Sequence, residues 1–362
     1  MSSTCDILIF GTGSFAQRIA CDLAATAVAP TRLAVAGRNT LRLDWIGTAA
    51  RARAHMFSRP VEVTTARVDL AAPGAAAELL AGCRPAVIVQ AASFQSGSVI
   101  SASGNAWTRL VAQGGLSATA VFQSVLTSRI ARAAAAVSPQ SRLINCCFPD
   151  VANAIVAAMG LPIACGIGNI AILAHAFAGA LEGAPRPTLK MLCHYQNLQA
   201  WRRPPSERRR TAPRVWLNDT EVACVFSRFA GVQLTPEPVI DISGASGVTL
   251  ALAMAQGADW KGHVPGPGGL PGGYPVALKG ERLELDLPTG IDRQSAIAWN
   301  GAHEAESGLM VDAAGRARYT GRLHDLLAAE SPTLAAGFKV ADLEQIWQAM
   351  CELRDRLSAR SV

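Results

Sequence analysis

Metal-ligating patterns are missing from this 362-residue chain. Its nine cysteines are scattered, with no Cys-x-x-Cys, and its six histidines show no His-x-x-x-His or similar spacing. No metal site and no redox dithiol is therefore expected. The odd cysteine count, with several thiols inside apolar segments, fits free thiols in a reducing compartment better than a disulfide framework. Charge is scarce too. Only 17% of residues are charged and half are apolar, which excludes a disordered chain. No clean apolar run reaches the length of about 18 residues that a membrane helix needs. The nearest, 166–181, is interrupted by Asn169 and His175 and reads as a buried strand with its flanks. Residues 1–6 lead straight into a strand and leave no stretch there for a secretory signal. A cytoplasmic protein without a membrane partner is the expectation. Neither an internal repeat nor low complexity beyond alanine enrichment is present.

The net charge of +6 has one local source, the six arginines of 201–214. Nucleic-acid readers also carry basic runs. This one holds one aromatic, three prolines and no helical period, so no nucleic-acid partner is expected. Two readings stand: a solvated loop, or a wall that attracts an anionic substrate or cofactor phosphates.

What is present begins at once. Ile7-Leu-Ile-Phe10 is short, apolar and strand-like, and runs into Gly11-Thr-Gly13-Ser14-Phe15-Ala16. Gly11 permits a tight turn at the strand end. Gly13 has no side chain to block a pyrophosphate, and Ala16 lets the next helix pack closely on the sheet. The helix over 17–26 would aim its free N–H groups and partial positive charge at the phosphates. This strand–turn–helix context gives Gly-x-Gly-x-x-Ala its meaning as a dinucleotide site.

The second strand, 31–36, should end where an NAD-specific site places Asp or Glu against the ribose 2′-hydroxyl. Here it ends in Gly37-Arg38-Asn39-Thr40. A carboxylate would repel a 2′-phosphate. Arg38 can pair with one and lie on the adenine, and Thr40 can donate to it. NADP is the expected cofactor. The bland reading is that Arg38 is an exposed loop arginine.

The first 150 residues alternate strand and helix. Strands are expected at 61–68, 85–91, 118–123 and 142–147, and helices at 75–81, from 108, and at 127–137. Asp69, at the end of the third strand, is placed to meet the adenine amino group. Gln90, Ala91, Ala92 and Ser93 end the near-continuous apolar fourth strand, and ligands bind outside the carboxyl ends of such strands. Beyond 150 the pattern changes. Strands at 167–177, 188–196, 215–226 and 277–287 suggest a mixed sheet, and 309–319 reads as a hairpin. A helix is expected at 246–256. The Pro/Gly-rich stretch 263–275 reads as irregular, and 343–357 as an amphipathic helix. The expected architecture is α/β: a doubly wound Rossmann domain over 1–150, an α+β mixed-sheet domain over 151–325 for substrate and dimerisation, and a helical segment over 326–362 returning to the first domain.

Asn145-Cys-Cys-Phe-Pro-Asp-Val-Ala-Asn153 closes the first half and opens a helix expected over 154–159. The order strand, Phe-Pro-Asp-x-x-Asn, helix resembles the crossover of saccharopine reductases and carboxynorspermidine dehydrogenases. Their Asp-Pro-Gly is replaced here by Pro149-Asp150-Val151. The glycine turn, the apolar fourth strand, the sheet-rich second half, the Gly-Gly-Tyr-Pro loop and the C-terminal helix are similar too. The resemblance implies an NADP-dependent oxidoreductase that reduces an imine, or reductively aminates a carbonyl, on a small carboxylate-bearing metabolite. Opine dehydrogenases share the layout, but no counterpart of their His–Asp pair is legible. Second domains of this kind often pair about a two-fold axis, so a homodimer is expected.

Hydride transfer to a carbonyl or imine needs a proton donor beside the cofactor. Asp150 and Asn153 sit at the crossover. Asp150 is read as a general acid/base or a binder of substrate ammonium, or else as a helix N-cap. His194 and Tyr195 end a strand, with His194 and Gln196 on one face, and are donors or satisfied sheet residues. His263 and Tyr274 bracket the Pro/Gly stretch and either touch substrate or shape a wall. The catalytic candidates are Asp150, His194 and Tyr274. His175 reads as core, and no basic neighbour activates Cys146 or Cys147.

Overall fold

The structure, a computed structural model, describes residues 4–95, 104–209, 211–235 and 239–361. Arg210, one of the six clustered arginines, lies outside them.

Six parallel strands form one sheet in the order β3-β2-β1-β4-β5-β6. They are β1 (Ile7–Phe10), β2 (Thr31–Gly37), β3 (Val61–Arg67), β4 (Val87–Gln90), β5 (Arg142–Asn145) and β6 (Cys165–Gly166). Ile7 pairs with both Leu33 and Val87, so β1 is the central strand from which the chain winds in two directions. Its four residues are fully buried, as a strand covered on both faces must be. On one face pack α1 (Ser14–Thr26) and α2 (Thr40–Met56), through Ile19, Leu23, Leu43 and Ile46. On the other lie α3 (Ala75–Cys83) and the later helix Ala120–Val137, through Leu80 and Ile130. This is a doubly wound α/β sheet of the Rossmann type. The crevice between the ends of β1 and β4 is its topological switch point.

Helix α4 (Ala106–Gly114) starts on an Asn105 capping box, and α5 (Ala120–Val137) follows a 3₁₀ turn. The strand expected at 118–123 is therefore helical. Twelve residues of α5 are buried, around most of its circumference, which removes the polar stripe that marks a helix in sequence. Helix α6 (Pro149–Ala158) starts five residues earlier than expected. Phe148 takes a left-handed conformation as its cap and Pro149 occupies the first helical position. The segment 167–177, expected as a strand, carries α7 (Ile170–Gly179). A short apolar run cannot distinguish the two by periodicity. His175 consequently stands exposed on α7 instead of in the core.

Among the described residues, the later strands form three antiparallel sheets of three strands each rather than one mixed sheet. They are β7 (Leu189–Leu192), β8 (Arg214–Leu217) and β9 (Thr220–Glu221); β10 (Trp260–Pro265), β11 (Gly273–Lys279) and β12 (Arg282–Leu285); and β13 (Leu309–Val311), β14 (Arg316–Tyr319) and β15 (Phe338–Lys339). The 188–196 strand stops at Leu192, and His194 caps α8 (Tyr195–Trp201). The 215–226 strand is broken by a turn in which Asn218 and Asp219 both take positive φ. The Pro/Gly stretch is regular at both ends, where His263 pairs with Pro275 and Pro265 with Gly273. Only 266–272 is a loop, and it lies against α6: a Cβ on Gly269 would come within 2.3 Å of Ala157 Cβ. Helix α9 (Val248–Gln256) covers the β1 face of the sheet. Beyond α10 (Arg293–Ser307) and α11 (Gly321–Glu330), α12 (Leu343–Ser358) packs on α4 and α5. No helix among the described residues is long and apolar enough to cross a membrane.

Candidate active site

The glycine turn sits at the switch point. Gly11 has φ +135°, and a Cβ there would meet the Ala91 carbonyl at 3.0 Å, so β1 and β4 approach as only glycine allows. Gly13 precedes α1 in extended conformation, and a Cβ there would find nothing within 4 Å. Its surroundings are open cleft. No side chain caps α1, so its first N–H groups face that cleft unpaired.

The cleft is about 790 Å³ and runs along the carboxyl edge of the sheet. Gly11, Gly13, Ser14, Phe15, Arg38, Asp69, Ala91, Ala92 and Ser93 line it. Three other expected cofactor contacts do not. Ala16 is wholly buried and serves helix–sheet packing. The Asn39 side chain accepts from Arg42 N and so caps α2. Thr40 is the first residue of that helix, outside the cleft lining. Arg42 braces the turn from behind, donating to Thr12 O at 3.1 Å and Gln17 Oε1 at 2.8 Å. Arg38 is thus the cation that faces the cleft near the β2 end. A dinucleotide fits these residues: an open backbone cradle, a bare helix N-terminus and a cation at the ribose end.

The opposite wall is made by Cys146, Cys147, Phe148, Pro149 and Asn169. Burial pushes the Cys147 thiol up to about 12 and Cys146 well above its ordinary value, so neither is a nucleophile. Behind this wall lies a buried ionisable cluster. Asp150 is 1% exposed and accepts from the Asn169 side-chain amide, so it does not cap its helix. Burial raises its carboxyl to about 6; the charge of Glu304 adds to the rise, while His194 and the Asn169 bond oppose it. His194 is fully buried, and its Nε2 lies 3.2 Å from Glu304 Oε1. Its Nδ1 accepts from Gln196 N at 3.3 Å, which leaves Nε2 as the ring nitrogen that carries a proton. Glu304 is fixed in turn by Ser307, whose hydroxyl reaches Glu304 O and Oε2. Tyr274 is fully buried and its hydroxyl is pushed up by burial.

Asp150, His194 and Tyr274 are thus brought together from α6, the cap of α8 and β11. Asp150 Oδ1, His194 Nε2, Tyr274 Oη, Asn300 Oδ1 and Glu304 Oε1 are all buried without a protein hydrogen bond. The His194–Glu304 approach is close but not aligned as one. Such unpaired buried groups are rare in native cores and concentrate at working sites. Asn153 has a different task. It accepts from Asn145 Nδ2 and donates to Gly266 O, pinning α6 between the sheet and the glycine loop. His263 stands elsewhere. Burial pushes it down to about 3, and its titratable neighbours are His175, Asp286 and Lys190. The Tyr195 ring bridges the wall and the cluster, meeting Phe148 at 5.0 Å and His194 at 4.5 Å.

Sequence reasoning missed Glu304 and Asn169. Glu304 lies 110 residues from His194 on α10, and nothing in its local pattern separates it from an ordinary helix carboxylate. Asn169 registers in sequence only as a break in an apolar run. Its backbone, at φ 47° and ψ −110°, is a strained conformation of the kind found at sites.

No protein-family model and no curated sequence matches the chain. Solved structures do. Malate dehydrogenase from Salinibacter ruber superposes with a TM-score of 0.51 at 12% identity, over 83% of this chain and 96% of its own. Apo malate dehydrogenase from Picrophilus torridus gives 0.52 at 12% identity, over 84% and 96%. Lactate dehydrogenase from Eimeria maxima, solved with NADH and oxamate, gives 0.50 at 12% identity, over 98% of both chains. At this identity the likeness establishes the Rossmann-type α/β fold alone. It also corrects the resemblance to saccharopine reductases, since these neighbours are malate and lactate dehydrogenases. The motifs behind that resemblance are the glycine turn, an apolar strand and a Pro-Asp helix start. These are general devices of doubly wound sheets and carry no family of their own.

Proposed function

We propose that the chain is an oxidoreductase that uses a nicotinamide dinucleotide, with preference for NADP(H), to reduce a polarised C=O or C=N bond of a small carboxylate-bearing metabolite. When bound, the nicotinamide supplies the hydride. The chain's residues do the rest. The Gly11–Phe15 turn and the α1 N-terminus hold the pyrophosphate, and Arg38 pairs with the 2′-phosphate. Phe148, Pro149 and Asn169 form the wall against which the reacting carbon rests. Asp150, with a carboxyl near 6, holds a proton at a pH where ordinary carboxyls do not. His194, whose Nε2 lies 3.2 Å from Glu304 Oε1, opposes the rise of the Asp150 carboxyl and so eases the departure of that proton. The proton ends on the substrate oxygen or nitrogen as the hydride reaches carbon.

The observation that carries this reading is the convergence of a raised carboxyl, an imidazole and a second carboxylate directly behind the wall of a dinucleotide-shaped cleft. Imine and carbonyl reduction make the same demand on these groups, so the substrate separates them. The test is a panel with NADPH: 2-oxo acids, 2-oxo acids with amines, aldehydes and thioesters, read by loss of the reduced-nicotinamide absorbance. One class should drive oxidation. Tight NADPH binding with no turnover across the panel would instead identify a non-catalytic dinucleotide sensor.

A further inference from the structure

A second cavity, of about 560 Å³, adjoins the dinucleotide cleft. Leu116 lines both, and Tyr195, whose ring meets Phe148 of the cleft wall, lines the second. Three exposed arginines line it, Arg203 and Arg209 from one segment and Arg322 from α11. Two carboxylates, Glu207 and Glu306, also line it, which leaves a formal excess of one positive charge. Among the described residues none of the three arginines has a carboxylate within 4.0 Å. Arg209 is held by backbone alone, donating to Ser206 O at 2.8 Å.

The arginine-rich segment is exposed over 202–207 and at Arg209, as a solvated loop would be, but it is anchored at one point. Arg208 is 5% exposed, lies over the Trp201 ring, and donates to Arg203 O, Phe229 O and Val232 O. A buried guanidinium bound to three backbone carbonyls fixes the path of 203–209. That anchoring places Arg203 and Arg209 at the cavity before any ligand arrives. Guanidinium groups without carboxylate partners, in a cavity that adjoins the reaction cleft, are suited to an oxyanion.

We propose that this cavity binds an anionic end of the substrate, a carboxylate or phosphate remote from the reacting carbon. The inference rests on the oxidoreductase reading and names the substrate class within it: an extended acid. The reducible C=O or C=N group lies at the cleft wall, and its distal oxyanion reaches past Leu116 and Tyr195 to Arg203, Arg209 and Arg322. A cavity of this size is far larger than one carboxylate needs, so a carbon skeleton accompanies the anion.

The test is calorimetric titration of the full-length protein, saturated with NADPH, by citrate and separately by inorganic phosphate. The comparison variant is Arg203→Ala/Arg322→Ala, which leaves the buried Arg208 anchor intact. Wild type should bind at least one probe in the millimolar range, and the variant about tenfold or more weakly, as loss of charge-assisted contacts requires. NADPH affinity should stay within about twofold, since neither arginine lines the dinucleotide cleft. Binding of citrate alone assigns a carboxylate, and binding of phosphate alone a phosphate ester. Equal binding by the variant, or no binding by wild type up to about 10 mM, overturns the proposal. Absence of NADPH binding in a control titration would contradict the dinucleotide reading instead, and the anion titrations would still be read on their own.

Discussion

Replacing Asp150 by asparagine should separate stability from activity. In the native protein its carboxyl is raised from 3.8 to about 6. The difference of about two units corresponds to roughly 3 kcal/mol, at 1.36 kcal/mol per unit. The native state binds this proton more tightly than the unfolded chain does. Its stabilising contribution is therefore complete below about pH 4 and is lost as pH rises through 6. Above that, the ionised carboxylate sits buried between the wall and Glu304, at a cost that the neutral amide of the Asp150→Asn variant does not carry. The unfolding free energy of Asp150→Asn relative to wild type should thus climb by up to roughly 3 kcal/mol between pH 4 and pH 8. Turnover should fall about 10²–10⁴-fold, the usual effect of losing a general acid, with NADPH affinity little changed. Urea unfolding of both proteins across that pH range measures the first effect. Parallel stability curves would refute the reasoning, because they would mean that Asp150 titrates alike in folded and unfolded chains.

Three further outcomes follow from the same geometry. Arg38→Ala should weaken NADPH by about 10- to 150-fold, the loss of a charge-assisted bond, and leave NADH nearly unchanged in competing titrations; equal weakening of both would remove Arg38 from the 2′-phosphate. Glu304→Gln should lower kcat by about tenfold or more and move the limb of its pH profile that reports Asp150 to lower pH, since Glu304 helps hold the Asp150 carboxyl up; an unmoved profile would leave Glu304 a packing residue. Gly269→Ala places a Cβ 2.3 Å from Ala157 Cβ at φ +83°, and should destabilise by roughly 1–3 kcal/mol in thermal melts while NADPH binding persists.

The strand–glycine turn–helix that opens onto the cleft is legible in sequence because its logic is local. The strand, Gly11, Gly13 and the helix are consecutive, and each residue type has its own steric reason. Arg38 follows from the end of the next strand in the same way. Asn39 and Thr40 show the limit: motif position does not tell a residue that caps or starts a helix from a ligand contact. The buried ionisable cluster is assembled from α6, the α8 cap, β11 and α10, so its members are distant in sequence and meet only in the fold. Asp150 and His194 stand out by residue type, but their juxtaposition does not. Helices α5 and α7 are hidden for a related reason. Both are buried around most of their surface, and a helix without a polar face looks in sequence like a buried strand. The Arg208 anchor is equally invisible, since one arginine of a basic run is buried while its neighbours are not.

The central claim is that the Gly11–Phe15 turn holds a nicotinamide dinucleotide. Gly13→Val tests it most directly. Gly13 has φ −75°, within reach of any residue, and its Cβ position is open, so the variant should fold normally. Calorimetric titration with NADPH should then show saturable binding by wild type and none by the folded variant, whose side chain occupies the pyrophosphate's place. Undiminished NADPH binding by a folded Gly13→Val protein would contradict the account.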